Sequence, residues 1–231
     1  MKRFWREVTV AAENGGWRVL LDSRPIRTQG GAPQVVAGRA LAEALADEWR
    51  GQGEEVDPSA FPLRDLADHA IDIVAPDRDT AIAKLLAFAE TDTLYYRADP
   101  DEPLARRQRE LWEPLLKRLE AAHALRFERV SGILHRPQPP ATLETLRRLL
   151  EQHDAFTLSG LASMASLAAS LVVALAALEP EADAEDLWAA ANLEEDWQAE
   201  HWGWEAEASE RRVRRLFAFA AALRFAALAR G

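Results

Sequence analysis

The hydrophobic period of this chain changes near residue 37, and that change limits what it can fold into. Before it the pattern alternates. Val8 and Val10 stand between polar neighbours, Asn14-Gly15-Gly16 is a tight-turn signal, and Trp17, Val19 and Leu21 alternate again. Asp22-Ser23-Arg24-Pro25 reads as a second turn, Ile26 and Thr28 as a short third strand, and Gly30-Gly31 with Pro33 closes the unit. Neither glycine pair has phosphate-loop spacing, so both are assigned to turns.

From Ala37 onward the apolar residues recur at helical spacing. Leu41, Ala44, Leu45 and Trp49 form a stripe that ends near Gly51 or Gly53, and Leu63, Leu66, Ala67, Ala70, Ile71 and Val74 form another that stops at Pro76. Further helices are predicted after Asp79, over Pro103–His123, around Leu143–Leu150 and at the C-terminus from Leu216. The fold class is therefore α+β, with a small N-terminal antiparallel β domain over residues 1–36 and a mainly α-helical domain over residues 37–231. The stretches 93–97 and 125–130 read as short strands that are candidates to join the β domain.

Phe156–Leu178 is uncharged and long enough to span a bilayer. Its many small and hydroxyl side chains dilute the apolar signal, and Asp154 and Glu179 flank it where basic residues are expected. Ser159, Ser163, Ser166 and Ser170 share one helical face, with Leu161, Met164, Leu167, Leu171 and Leu175 on the other. A buried helix is the expectation, without stable membrane insertion.

A net charge of −10 argues against nucleic-acid binding, which needs a basic footprint, and against docking on anionic lipid. The absence of cysteine excludes disulfides, thiol catalysis and cysteine-held metal sites. MKRFWREVTV has no apolar signal-peptide core, so the expectation is a bacterial cytoplasmic protein or a mature organellar one.

The segment Asp183–Ala208 holds four of the eight tryptophans among acids and His201. Asp183 is a good N-cap. Read as one helix, the segment places Trp188, Ala191, Glu195, Gln198 and Trp202 on one stripe and Ala190, Glu194, Trp197 and His201 on the next. Trp197 and Trp202 cannot then face one neighbour, and Trp204, after Gly203, falls where the helix bends or stops. The indoles either fill core or present an interface, where tryptophan is favoured. Glu195 either pairs internally with Arg211 or Arg215 or is offered to a partner. Catalytic signals are thin: the five histidines are scattered, Glu194 and Glu195 are adjacent and diverge on a helix, and Gln198-Ala199-Glu200-His201 lacks the first Glu of a Glu-x-x-His metal motif. No catalytic residue, cofactor or metal is assigned. The alternatives are a carboxylate- or metal-dependent hydrolase built on Glu194, Glu195 and His201, and a scaffold module with another protein partner.

Several stretches, in order over nearly the whole chain, resemble one family. They are Arg3-Phe4-Trp5, Val19–Pro25, Leu45-Ala46-Asp47-Glu48-Trp49, Pro62-Leu63 leading to Ala70-Ile71-Asp72, and Thr91-Asp92-Thr93-Leu94-Tyr95-Tyr96. Gln108 with Trp112 and Pro114 follows, then Glu194-Glu195-Asp196-Trp197-Gln198 with Trp202-Gly203. This pattern is similar to the F1-ATPase assembly chaperones of mitochondria and alphaproteobacteria dedicated to the α subunit. Departures occur at Ser23, where the family usually has Gly, at Phe61, where it has Met, and at Glu194-Glu195, where it has Asp-Glu. The resemblance implies a non-catalytic protein, monomeric when free, whose client is the unassembled F1-ATPase α subunit. Eukaryotic relatives would act in the mitochondrial matrix. It implies client binding through Glu195, Gln198, Trp202 and Glu194, with Trp49, Arg24 and Gly203 maintaining the fold.

Overall fold

The computed structural model describes residues 2–132, 135–203 and 205–231. The chain divides into two compact units, one of Met1–Thr80, Asp154–Gly160 and Arg224–Gly231, the other of Ala81–His153 and Leu161–Leu223.

In the first unit the alternating segment forms β1 (Val8–Glu13) and β2 (Gly16–Leu21), antiparallel with Val10 opposite Val19, followed by a two-residue β3 (Arg24–Pro25). The β2–β3 turn holds Asp22 at φ 47° and Ser23 at φ 71°, the pair of positive values that a type I′ turn requires. The Asp22 carboxylate accepts the backbone N–H groups of Arg6 and Glu7, at 3.0 and 2.8 Å, which fixes the turn against the incoming chain.

The predicted third strand does not reach Thr28. That segment bonds to helical carboxylates in place of a strand: Thr28 Oγ1 and the Gly30 N–H donate to Asp72, at 2.7 and 2.8 Å. A Cβ on Gly30 would stand 2.7 Å from an Asp72 side-chain oxygen, so a larger residue here must displace that carboxylate. Asp68 likewise accepts Gln34 Nε2 at 2.5 Å and the Gln29 N–H at 3.1 Å.

Helix α1 (Arg39–Arg50) packs Leu41, Ala42, Leu45 and Ala46 against the β1–β2 hairpin. Its last turn carries Trp49, whose ring centroid lies 5.1 Å from Trp5 and 4.6 Å from Phe61. Glu48 accepts the Leu63 and Arg64 N–H groups at 2.7 and 2.9 Å and so caps α2 (Pro62–His69). Burial pushes the Glu48 carboxyl up to about 7 against these hydrogen bonds. Beyond α2 the helix widens into a π-turn, Ala70–Val74, closed by the Ala75 N–H on the Ala70 carbonyl at 2.8 Å.

The remaining elements are α3 (Arg78–Glu90), β4 (Tyr96–Arg97), α4 (Pro103–His123), β5 (Val130–Ser131), α5 (Pro140–Glu151), α6 (Ala155–Ala168), α7 (Leu171–Ala176), α8 (Ala184–Ala191), α9 (Leu193–Trp202) and α10 (Ala206–Arg230). Two expectations are corrected here. The stretches 93–97 and 125–130 do not extend the N-terminal sheet: β4 and β5 pair with each other, in parallel, as a separate two-stranded sheet. Residues 125–129 alternate without a ladder: the Glu120 side chain takes the Phe127 N–H, the Gln138 side chain that of Glu128, and the Glu120 carbonyl that of Leu125.

Phe156–Leu178 is buried over much of its length but is not one helix. Ala169, at φ 49°, ends α6, and Ser170 Oγ accepts the Val173 N–H at 3.0 Å to start α7. Thr93 donates its N–H to the Ala169 carbonyl, and Asp92 accepts the Val172 N–H, so this break is built by residues far away in sequence. Among the described residues no helix is long and apolar enough to cross a membrane.

Candidate functional site on helix α9

Asp183 caps α8 as predicted, accepting the N–H groups of Glu185 and Asp186 at 2.9 Å. The single helix expected through residue 202 is interrupted, however. Asn192 leaves helical geometry at φ −109°, ψ 18°, and donates both its N–H and its Nδ2 to the Trp188 carbonyl. The stripe linking Trp188 to Trp202 is therefore broken. Trp188 is 2% exposed and packs on Phe219, whereas Trp202 is 80% exposed.

Within α9 the register is clear. Glu195, Gln198 and Trp202 stand at i, i+3 and i+7, share one helix face, and are all exposed. The opposite side turns inward. Leu193 is buried, Asp196 accepts Arg212 Nη2 at 2.6 Å, and Trp197 lies under the Arg107 guanidinium, 5.0 Å from the ring centroid. Arg107 also pairs with Glu200 at 2.7 Å. Burial raises the Asp196 carboxyl above its ordinary value, with Arg212 opposing.

Glu194 differs from its neighbour. Its Oε1 accepts Gln108 Nε2 at 2.7 Å, and the buried Gln108 uses its own oxygen to accept the Ala98 N–H at 2.8 Å. Glu194 thus ties α9 to α4. Glu195 has no hydrogen bond or ion pair with any described residue. Neither arginine proposed as its internal partner reaches it: Arg215 donates to the Leu167 carbonyl at 2.7 Å and lies over Trp188, and Arg211 forms no ion pair with it.

Gly203 ends α9 at φ 86°, ψ 165°, a region that is essentially glycine-only, and fixes where Trp202 is presented. Trp204 lies outside the described residues. Trp49 sits in the aromatic cluster of the first unit. Arg24 is exposed, and its guanidinium makes no hydrogen bond or ion pair among the described residues; the side chain that holds this turn is Asp22. Gln108 and Asp92 carried no signal of their linking role, because the residues they tie to, Glu194 and Val172, lie 86 and 80 positions away.

The geometry offers little to hydrolytic chemistry. Glu194 is held by Gln108, and His201 Nδ1 is 2.7 Å from the Trp197 carbonyl of its own helix. Among the described residues no group of three or more His, Asp and Glu is placed to hold a metal ion. What α9 presents is a face of one unpaired carboxylate, one amide and one indole.

The family model described as ATP12 chaperone protein matches residues 2–120. The crystal structure of Atp12 from Paracoccus denitrificans superposes with a TM-score of 0.93 at 38% identity, covering 99% of this chain and 98% of that one. An aspartate-to-lysine mutant of the same Paracoccus protein gives the same TM-score and identity, over 99% and 97% of the two chains. Protein atp12, mitochondrial, of Schizosaccharomyces pombe is 26% identical over 214 residues, 87% of this chain and 74% of that protein. With its small N-terminal antiparallel sheet, its helical remainder and these matches, the chain belongs to the ATP12 chaperone protein family.

Proposed function

We propose that this chain is an assembly chaperone that binds the unassembled F1-ATPase α subunit, shields its subunit interface and releases it to the β subunit. The placement that goes with this role is the bacterial cytoplasm, and the mitochondrial matrix for eukaryotic relatives. Membership of the ATP12 chaperone family supports the class of activity. The observation that carries the site is the solvent-facing row Glu195–Gln198–Trp202.

An indole that is 80% exposed has most of its apolar area still to bury, and tryptophan is the side chain most enriched at binding hot spots. Glu195 has no internal cation, so docking favours a client surface that supplies one. Gln198, one turn on, adds a donor and an acceptor. Glu194 orients the row through Gln108. An α subunit awaiting β exposes a large apolar interface, which is an aggregation hazard. Covering it reversibly raises the yield of assembly, and β displaces the chaperone by burying more.

The test is a thermal aggregation assay of isolated α subunit with wild type, Glu195→Lys and Trp202→Ala. Wild type keeps α soluble, whereas both variants fold normally and protect at least about tenfold less well, the scale of a lost hot spot. Equal protection by all three proteins refutes the site. No protection by any refutes the client.

A further inference from the structure

The second unit carries a cleft of about 410 Å³ between α4 and α8, away from the exposed row of α9. Its floor is apolar, made by Leu111, Leu115, Leu187 and Ala190, with Leu111 left 44% exposed. Its rim is acidic: Glu110, Glu179, Glu181, Asp183 and Asp186 stand around it against a single cation, Arg118. Arg118 is itself turned to Glu179, at 3.6 Å. Pro114 also lines the cleft and supplies no N–H to the Glu110 carbonyl one turn back, which leaves a backbone acceptor beside the rim. From Glu110 to Arg118 the cleft runs about 12 Å along α4, a little over two helical turns.

We propose that this cleft docks a cationic amphipathic polypeptide segment of about two turns, with lysines or arginines on the rim carboxylates and small apolar side chains on the floor. The apolar floor gives the affinity and the unbalanced rim gives the sign. An acidic segment is excluded by like charge, and a second copy of this chain, docked two-fold on the same cleft, would set five carboxylates against five. The inference does not depend on which protein the α9 face contacts.

The probe is a fluorescein-labelled Lys/Leu amphipathic helical peptide of about fourteen residues, with its Glu/Leu counterpart, titrated against the full chain by anisotropy. The expected result is binding of the Lys/Leu peptide alone. That binding weakens at least about fivefold between roughly 50 and 300 mM salt. It weakens at least about tenfold in Leu111→Lys and in Glu110→Gln/Asp186→Asn, the second of which alters charge with almost no change of volume. Glu195→Lys leaves it unchanged, which separates this cleft from the α9 site. Equal binding of both peptides overturns the proposal, as does wild-type affinity in the double variant. So does a sedimentation dimer of the chain alone that Leu111→Lys dissociates, since a second copy then covers the cleft.

Discussion

The Asp92 carboxylate, with no exposed surface, accepts the Val172 N–H at 2.9 Å with its Oδ2 and the Leu94 N–H at 3.0 Å with its Oδ1. One side chain therefore starts both α7 and the 3-10 turn Thr93–Tyr95, and it holds together two segments that are eighty residues apart in sequence. Replacing it with Ala leaves two buried N–H groups without an acceptor, each costing about 1–3 kcal/mol. Urea unfolding of Asp92→Ala is expected to give a stability about 2–5 kcal/mol below wild type, with Asp92→Asn losing less because the amide oxygen keeps one bond.

The same carboxylate makes stability depend on pH. Burial pushes the Asp92 carboxyl up to about 6 from an ordinary 3.8. Because the folded-state value is raised, the folded protein holds the proton more tightly than the unfolded chain. Its stabilising contribution is full below about 3.8 and is lost as pH rises through about 6, on the order of 3 kcal/mol. Glu48, raised to about 7 by burial, adds a slope of the same sign between about 4.5 and 7. Unfolding free energy of wild type, measured from pH 4 to pH 7.5, is expected to fall relative to Asp92→Asn/Glu48→Gln. Parallel pH profiles for the two proteins would refute this.

The β2–β3 turn tests the backbone cost of a non-glycine residue held at positive φ. Ser23 adopts φ 71°, which costs an L-residue about 1–2 kcal/mol and glycine almost nothing. Part of the gain on substitution is offset by the greater freedom of glycine in the unfolded chain. Ser23→Gly is expected to stabilise the protein by about 0.5–1 kcal/mol, read as a higher urea midpoint at unchanged slope. A destabilised Ser23→Gly would mean that the hydroxyl, rather than the backbone, decides this position.

How much of this was legible in the sequence follows from the range of each interaction. The β1–β2 hairpin, the Asp183 cap and the helical stripes of α1, α2, α4 and α5 rest on neighbours within a few residues, and alternation or helical period reveals them. The breaks at Ala169 and Asn192 do not. The first is imposed by Asp92 and Thr93 from another part of the chain, and the second keeps helical composition on both sides of one residue that leaves helical geometry. The exposure of Glu195 was not decided by the sequence, but the shared face of the row Glu195–Gln198–Trp202 was readable because all three lie inside α9, on the far side of that break. Its supports were not, since Gln108 and Arg212 come from helices that periodicity cannot pair. Asp22 was legible as a turn residue but not as the acceptor that holds the turn, since its partners Arg6 and Glu7 precede β1, fifteen and more residues away.

Gly203 sets the end of α9, and its φ 86°, ψ 165° excludes ordinary side chains at about 1–3 kcal/mol. Gly203→Ala is expected to lower the melting temperature, at about 2–4 °C per kcal/mol for a chain of this size. It should also fray the last turn of α9, so that Trp202 changes its fluorescence while the buried Trp112 and Trp188 do not. If the melting temperature is unchanged, the turn after Trp202 adapts freely and the glycine is not what presents the indole.

The link between Gln108 and Glu194 allows a charge-based test of how α9 is held. Gln108 is buried, gives its amide N–H to Glu194 at 2.7 Å and takes the Ala98 N–H on its oxygen at 2.8 Å. Gln108→Glu keeps the shape and the bond to Ala98 but places a second carboxyl against the first. Two carboxylates at this distance cannot both ionise cheaply, so the pair must hold a proton, with one of the two raised well above the ordinary range. The sign follows from that raised value: the pair is stable while protonated at low pH, and stability is lost as pH rises through the shifted titration. Urea unfolding of Gln108→Glu is therefore expected to match wild type near pH 4.5 and to fall below it by about 2–4 kcal/mol at pH 8. Gln108→Ala, which removes both bonds and adds no charge, should show a deficit that does not vary with pH relative to wild type. A pH-independent deficit in Gln108→Glu would mean that Glu194 swings out to solvent and that α9 does not depend on this contact for its position.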